Sequence, residues 1–181
     1  MSTAIDLRLT NADVESMPDD GKRYELIDGE LYVSSAPGFF HQSVVANIIV
    51  AFSDFLRRHP IGRVTPGVGV IFDDHNGVIP DLVFATHERM KQSLESGRFW
   101  AAPEIVIEIL SPGSTNARRD RHIKRNLYIA RGVDEYWIVD PETRSIELHR
   151  KGLPETTLYR SDQLTSAILP GFSVGVDSLF A

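Results

Sequence analysis

Residues 104–111 read EIVIEILS. The run is nearly continuous in apolar, β-branched residues, the pattern of a central strand covered on both faces. Glu108 breaks it at the middle. Alternate residues of a strand share a face, so Glu104, Val106, Glu108 and Leu110 look one way and Ile105, Ile107 and Ile109 the other. A carboxylate inside such a strand is costly unless it is paired or holds a cation. A second one is Asp81, directly after Pro80 in VIPDLVFA (78–85). Carboxylates from neighbouring strands make a hard oxygen site suited to Mg²⁺ or Mn²⁺. The competing reading pairs each with a nearby Arg or Lys.

Upstream, YELIDGELYVS (24–34) carries Asp28-Gly29 between two apolar-rich runs, a hairpin signal, and Pro37-Gly38 closes it. Glu25 lies on the first of these strands, where charged residues usually face water. Residues 41–58 place Val45, Ile48, Ile49, Phe52, Phe55 and Leu56 at helical spacing, and Pro60 stops the helix. His41 opens that helix, as a cap or surface residue or as a ligand. GVGVIF (67–72) and VIPDLVFA read as strands around a turn at 73–77, and 87–97 reads as helical. Downstream, SPGST (111–115) breaks the chain, 116–131 forms a second helix ended by Gly132, and EYWIVD (135–140) is another central strand. Residues 145–150 and 156–160 read as a peripheral hairpin, and the tail LPGFSVGVDSLF (169–180) packs down. The order predicts an α/β fold: a mixed central sheet flanked by helices, with an N-terminal hairpin and a C-terminal β extension.

The 181 residues suit one domain at ~150 residues each. Residues 1–20 are then an N-terminal extension and 142–181 peripheral strands and tail. Apolar residues at 42% and charged residues at 24% place the chain among folded globular proteins. No run approaches ~18 apolar residues, and MSTAIDLRLT lacks a basic start followed by an apolar core. The expectation is a cytoplasmic protein without a membrane partner. The absence of cysteine excludes disulfides, thiolate zinc sites and cysteine nucleophiles. The net charge of −6 argues against a sequence-blind DNA coat, but not against a nuclease whose acids cluster around a metal. Phosphate-loop, dinucleotide, serine-hydrolase and zincin motifs are all missing.

On the helix 116–131, at 100° per residue from Asp120, Lys124 falls at about 40° and Tyr128 at about 80°. Ile123, Leu127 and Ala130 form the apolar seam at roughly 280–340°. Asp120 and Lys124 thus border the seam, either as an i,i+4 pair or as site residues. Arg118, Arg121 and Arg125 fall on the far side, as a solvated face or as phosphate contacts.

Taken together, YELIDGEL, HQ at 41–42, PDLVF (80–84), PEIVIEILSPGST (103–115), D-x-x-x-K-x-x-x-Y (120–128) and GVDEYWIVDP (132–141) resemble the Uma-two family of endonucleases. That family belongs to the PD-(D/E)xK restriction-endonuclease-like superfamily. The resemblance spans roughly residues 20–180, and its specificity lies in the combination and order of the motifs. It implies a restriction-endonuclease-like core with one acidic metal cluster. Asp81 and Glu108 match the motif acids, and Glu25 matches an upstream acid that joins the metal site. Leu110 stands where the usual lysine follows the glutamate, and the lysine is relocated to the following helix as Lys124.

The chemistry then implied is Mg²⁺- or Mn²⁺-assisted phosphodiester hydrolysis, with DNA as the expected nucleic-acid partner. Asp81, Glu108 and Glu25 hold the ion, with the Ile109 carbonyl as a further ligand. Lys124 orients the water or meets developing negative charge. Asp120 positions Lys124 or touches the metal's water shell. His41, Tyr128 and Arg121 surround the ion or the substrate. A homodimer follows by analogy, because cutting a duplex often needs two sites. Two other readings compete: a binding module on a nuclease fold without catalysis, and a metal hydrolase acting on RNA or another phosphate ester.

Overall fold

The structure, a computed structural model, describes residues 8–111 and 119–181, the side chains of 119–121 excepted. In chain order its elements are α1 (Asn11–Glu15), β1 (Arg23–Ile27), β2 (Glu30–Ser34), α2 (Phe39–Arg58), β3 (Gly62–Pro66), β4 (Val70–Asp73), β5 (Asn76–Val78) and β6 (Leu82–Thr86). Then come α3 (His87–Ser93), β7 (Leu94–Glu95), β8 (Arg98–Phe99), β9 (Ile105–Ile109) and a π-helical turn (Arg119–Lys124) running into α4 (Arg125–Ala130). The chain ends with β10 (Glu135–Asp140), β11 (Ser145–Arg150), β12 (Thr156–Leu158), β13 (Gln163–Thr165), β14 (Ser173–Gly175) and a 3₁₀ turn (Val176–Phe180).

Strand β9 is central, as its composition dictates. It runs parallel to β10 and antiparallel to β6 in a mixed sheet ordered β12-β11-β10-β9-β6-β3. All its residues are buried, and their alternation sorts two cores. Ile105, Ile107 and Ile109 pack against Val44, Ile48, Phe52 and Phe55 of α2 and against Phe172, Val176 and Leu179 of the tail. Val106 and Leu110 pack with Ile27, Val70 and Val78 and with Leu127 and Tyr128 of α4. The residues on that face, Glu108 among them, look toward α4 and a second sheet ordered β2-β1-β5-β4-β8-β7.

Helix α2 begins two residues before its expected start and is long and apolar enough, by length and composition, to cross a membrane. The expectation that no segment reaches that threshold is corrected. In this fold the helix buries His41, Val44, Val45, Ile48, Phe52 and Phe55 along one stripe, and its Asn47 amide donates to the Leu179 carbonyl.

Several strand boundaries differ from the sequence reading. VIPDLVFA is two strands: Pro80 has no N–H to give a ladder, so β5 ends at Val78 in one sheet and β6 starts at Leu82 in the other. Asp81 therefore sits where the chain changes sheets. The ladder of 67–72 starts only at Val70, and β3, which pairs with β6, carries no alternation that marks it. Helix α3 stops at Ser93, and Ser96 and Gly97, both at positive φ, turn β7 into β8. The expected β1–β2 hairpin turns on Asp28 and Gly29, at φ 52° and 78°. The expected straight helix over 116–131 starts, within the described residues, as the π turn, so a 100° wheel drawn across it loses phase. The buried stripe of this helix is Lys124, Leu127 and Tyr128, and Ala130 is exposed.

Candidate active site

Four elements deliver charged side chains to one place. β1 supplies Arg23 and Glu25, which share a strand face at i and i+2. The sheet-switching segment supplies Asp81, β9 supplies Glu108, and the end of the π turn supplies Lys124. With His41 of α2 they line a cavity of about 330 Å³, whose wall also includes Ile79, Ile109 and Ser111 and the loop from Ser34 to Gly38.

Lys124 Nζ lies 2.8 Å from Glu108 Oε1 and 2.9 Å from Glu25 Oε1. All three side chains are at most 4% exposed. Tyr128, fully buried, donates its hydroxyl to Glu108 Oε1 at 2.8 Å, and the Ile79 amide donates to Glu25 Oε1 at 2.9 Å. Burial, with the Glu108 and Glu25 carboxylates close by, pushes the Tyr128 phenol well above its ordinary value, so it remains a donor.

Asp81 accepts at Oδ1 from Arg23 Nη1 (3.0 Å) and at Oδ2 from the Ile109 amide (2.9 Å). Its Oδ2 is also 3.0 Å from His41 Nε2. An ionised carboxylate only accepts, so Nε2 carries the proton. His41 Nδ1 is buried without a hydrogen-bond partner among the described residues. Burial alone would raise the Asp81 carboxyl. The His41 hydrogen bond and charge, the Ile109 amide and the Lys124 charge outweigh it and hold the group below the ordinary carboxylate range.

The structure therefore brings together Glu25, His41, Asp81, Glu108, Ile109 and Lys124, with Tyr128 behind them. Glu25 does not face water as a hairpin charge usually does: β1 is covered by the second core, and its carboxylate points at Lys124. His41 is neither cap nor surface residue; it lies buried against Asp81. The side chains of Asp120 and Arg121 lie outside the described residues, as does Arg118. Arg125 is half-buried and pairs with Glu155, so it is no solvated face. Glu104 shares the strand face of Glu108 but not its pocket: it accepts from the Thr86 amide and hydroxyl at the far end of β9. The sequence reading passed over Arg23. Its signal was available, because Arg23 and Glu25 are two apart on one strand.

Three buried carboxylates offer hard oxygen donors at one polar cavity, a donor set that fits Mg²⁺ or Mn²⁺. Among the described residues, three His or carboxylate ligand atoms gather within 4.8 Å of one another only at Glu147, His149 and Glu155, away from this pocket. In the pocket itself, Lys124 stands between Glu25 and Glu108.

A mixed sheet between helices, with buried acids and a lysine converging at one edge of a central strand, defines a restriction-endonuclease-like protein. Comparison with solved structures agrees. A chain from Anabaena variabilis, described as "a putative nuclease", superposes with a TM-score of 0.80, covering 95% of this chain and 97% of its own, at 19% identity. The model of the Uma2 family, described as "Putative restriction endonuclease", matches residues 12–177, and the chain belongs to that family. No curated protein matches it.

Proposed function

We propose that this chain is a divalent-metal-dependent endonuclease that hydrolyses phosphodiester bonds in DNA, with Mg²⁺ or Mn²⁺ as cofactor. The observation that carries the reading is the convergence of buried Glu25, Asp81, Glu108 and Lys124 on one polar, solvent-connected cavity. The nuclease description of the family and of the Anabaena chain supports it.

Glu25, Asp81 and Glu108, with the Ile109 carbonyl, are the groups that would hold the ion. Bound there, it would acidify a water and polarise the scissile phosphate. Lys124 orients the attacking water and meets the negative charge that develops on the phosphate oxygens. Tyr128 fixes the Glu108 carboxylate through its hydrogen bond, and Arg23 and His41 fix Asp81. Asp120 is assigned to positioning Lys124, and Arg121 to the substrate backbone. Two copies would cut both strands of a duplex, and analytical ultracentrifugation with DNA tests that pairing.

The test is nicking of supercoiled plasmid in Mg²⁺ and in Mn²⁺, with parallel RNA substrates. Wild type nicks DNA in at least one metal, and Asp81→Ala and Glu108→Gln do not. Equal cleavage by both variants, after removal of contaminating nuclease, overturns the assignment. Cleavage of RNA alone moves the substrate and keeps the site.

One observation favours a second reading, a module that binds nucleic acid without cutting it. Asp81 already has three partners, and Lys124 already bridges Glu25 and Glu108, so the acids are compensated by protein groups. Binding without nicking in either metal is its signature.

A further inference from the structure

Away from the nuclease pocket, β11 and the turn into β12 gather a second set of ligands. Glu147 and His149 are two apart on β11 and share a face. One ligand atom from each, with one from Glu155, lies within 4.8 Å of the others. His149 Nδ1 is 3.3 Å from Glu155 Oε2, and His149 Nε2 is 4.0 Å from Glu147 Oε2.

The independent observation is the histidine itself. Its side chain is 7% exposed, held against Tyr136 in a stacked contact, and its Nε2 has no hydrogen-bond partner among the described residues. A buried polar atom left unpaired is costly, and a bound cation would relieve it. The Glu147 carboxylate, at 4.0 Å, is too far to bond it directly. Tetrahedral zinc, about 2.0–2.2 Å from nitrogen and carboxylate oxygen, holds its ligands roughly 3.3–3.6 Å apart, so an ion on Nε2 would draw Glu147 in by a few tenths of an ångström and bring Glu155 across from the Nδ1 side. A cavity of about 370 Å³, lined by His149 and Glu155 with Arg125, Tyr136 and Lys151, gives an ion and a completing water a route in.

We propose that Glu147, His149 and Glu155 form a Zn²⁺ site, separate from the nuclease pocket, that clips the β11–β12 hairpin. One nitrogen and two carboxylate oxygens leave a fourth, tetrahedral position for water. The ion draws Glu155 away from Arg125, which holds it at 3.3 Å without metal. None of the three ligands lines the nuclease pocket, so the site stands whether or not the chain cleaves DNA.

The experiment is Zn²⁺ titration by calorimetry into the full wild-type chain and into Asp81→Asn, His149→Ala and Glu155→Gln. Glu155 is half exposed, so Glu155→Gln keeps the fold even if the buried His149→Ala disturbs it, and circular dichroism checks both. The expected result is one Zn²⁺ per chain in Asp81→Asn, where the nuclease pocket has lost a carboxylate, and at least one in wild type, the shared site being weakened at least about tenfold by both His149→Ala and Glu155→Gln. No Zn²⁺ in wild type overturns the proposal. So does binding lost only in Asp81→Asn, or unchanged in Glu155→Gln.

Discussion

Replacing Lys124 with methionine keeps the length and apolar stem of the side chain and removes its charge. What remains is Glu25 and Glu108, both buried, each having lost its partner at 2.9 and 2.8 Å. Removing one partner of a buried ion pair costs about 3–5 kcal/mol, because the other charge stays desolvated. Here two carboxylates are left facing each other, so the upper half of that range is expected, softened by what the Ile79 amide and Tyr128 still donate. For a chain of this size about 2–4 °C of Tm accompanies each kcal/mol, so a cost of about 4–5 kcal/mol lowers the Tm of Lys124→Met by roughly 8–20 °C. The assay is thermal and urea unfolding by circular dichroism at neutral pH, with a double-mutant cycle. Adding Glu25→Gln to Lys124→Met removes one of the two stranded charges, so the double variant is more stable than Lys124→Met alone. The coupling falls within about 0.5–3 kcal/mol. If the acids also hold a divalent ion, Mn²⁺ at about a hundred times its Kd returns about 2.7 kcal/mol to Lys124→Met. A Lys124→Met protein within about 1 kcal/mol of wild type, with purely additive Glu25→Gln, would refute the buried bridge and with it the lysine's placement.

Tyr128→Phe removes a buried donor to a carboxylate and costs about 1.5–3 kcal/mol in urea unfolding, while leaving the fold's circular dichroism unchanged. Phe52→Ala opens a cavity among Phe84, Trp137 and Phe172 and costs about 3–5 kcal/mol; a smaller loss would mean that the core collapses around it. Asp73 ties the β4–β5 hairpin to Arg131 at the end of α4. Burial alone would raise its carboxyl, but Asn76, the His75 amide and Arg131 together lower it. A lowered carboxyl stabilises above its unfolded value of about 3.9 and loses that contribution as pH falls through the folded value. The Tm gap between wild type and Asp73→Asn is therefore steady near neutrality and narrows as pH falls below about 4; a gap that does not narrow with further acidification contradicts the pairing.

Legibility in the sequence followed how local the physics is. The β9 strand, its two faces and the Asp28-Gly29 turn depend on residues next to one another, and all three were readable. The break at Pro80 was readable in principle, since the missing N–H forbids a continuous ladder, yet the apolar run around it argued for one strand. The acids were harder, because a carboxylate inside a strand is an ambiguous sign. Glu135 opens EYWIVD, is buried as deeply as Glu108, and does no site chemistry: its carboxylate accepts from Trp137, Ser166 and the Ala167 amide, tying the tail to the sheet. What separates the two glutamates is the company each keeps. Glu135 is saturated by donors that only hold the fold together, whereas Glu108 shares a solvent-connected cavity with two other acids and a lysine from another element. That company is set by long-range contacts, from Glu25 at one end of the chain to Lys124 nearly a hundred residues on. The missing in-strand lysine fits the same logic. Leu110 occupies its place and packs in the second core, while the π turn leading into α4 returns an ammonium to Glu108 from outside the sheet. The charge requirement at the strand belongs to the cavity rather than to a spacing, so a helix meets it as well as a strand does.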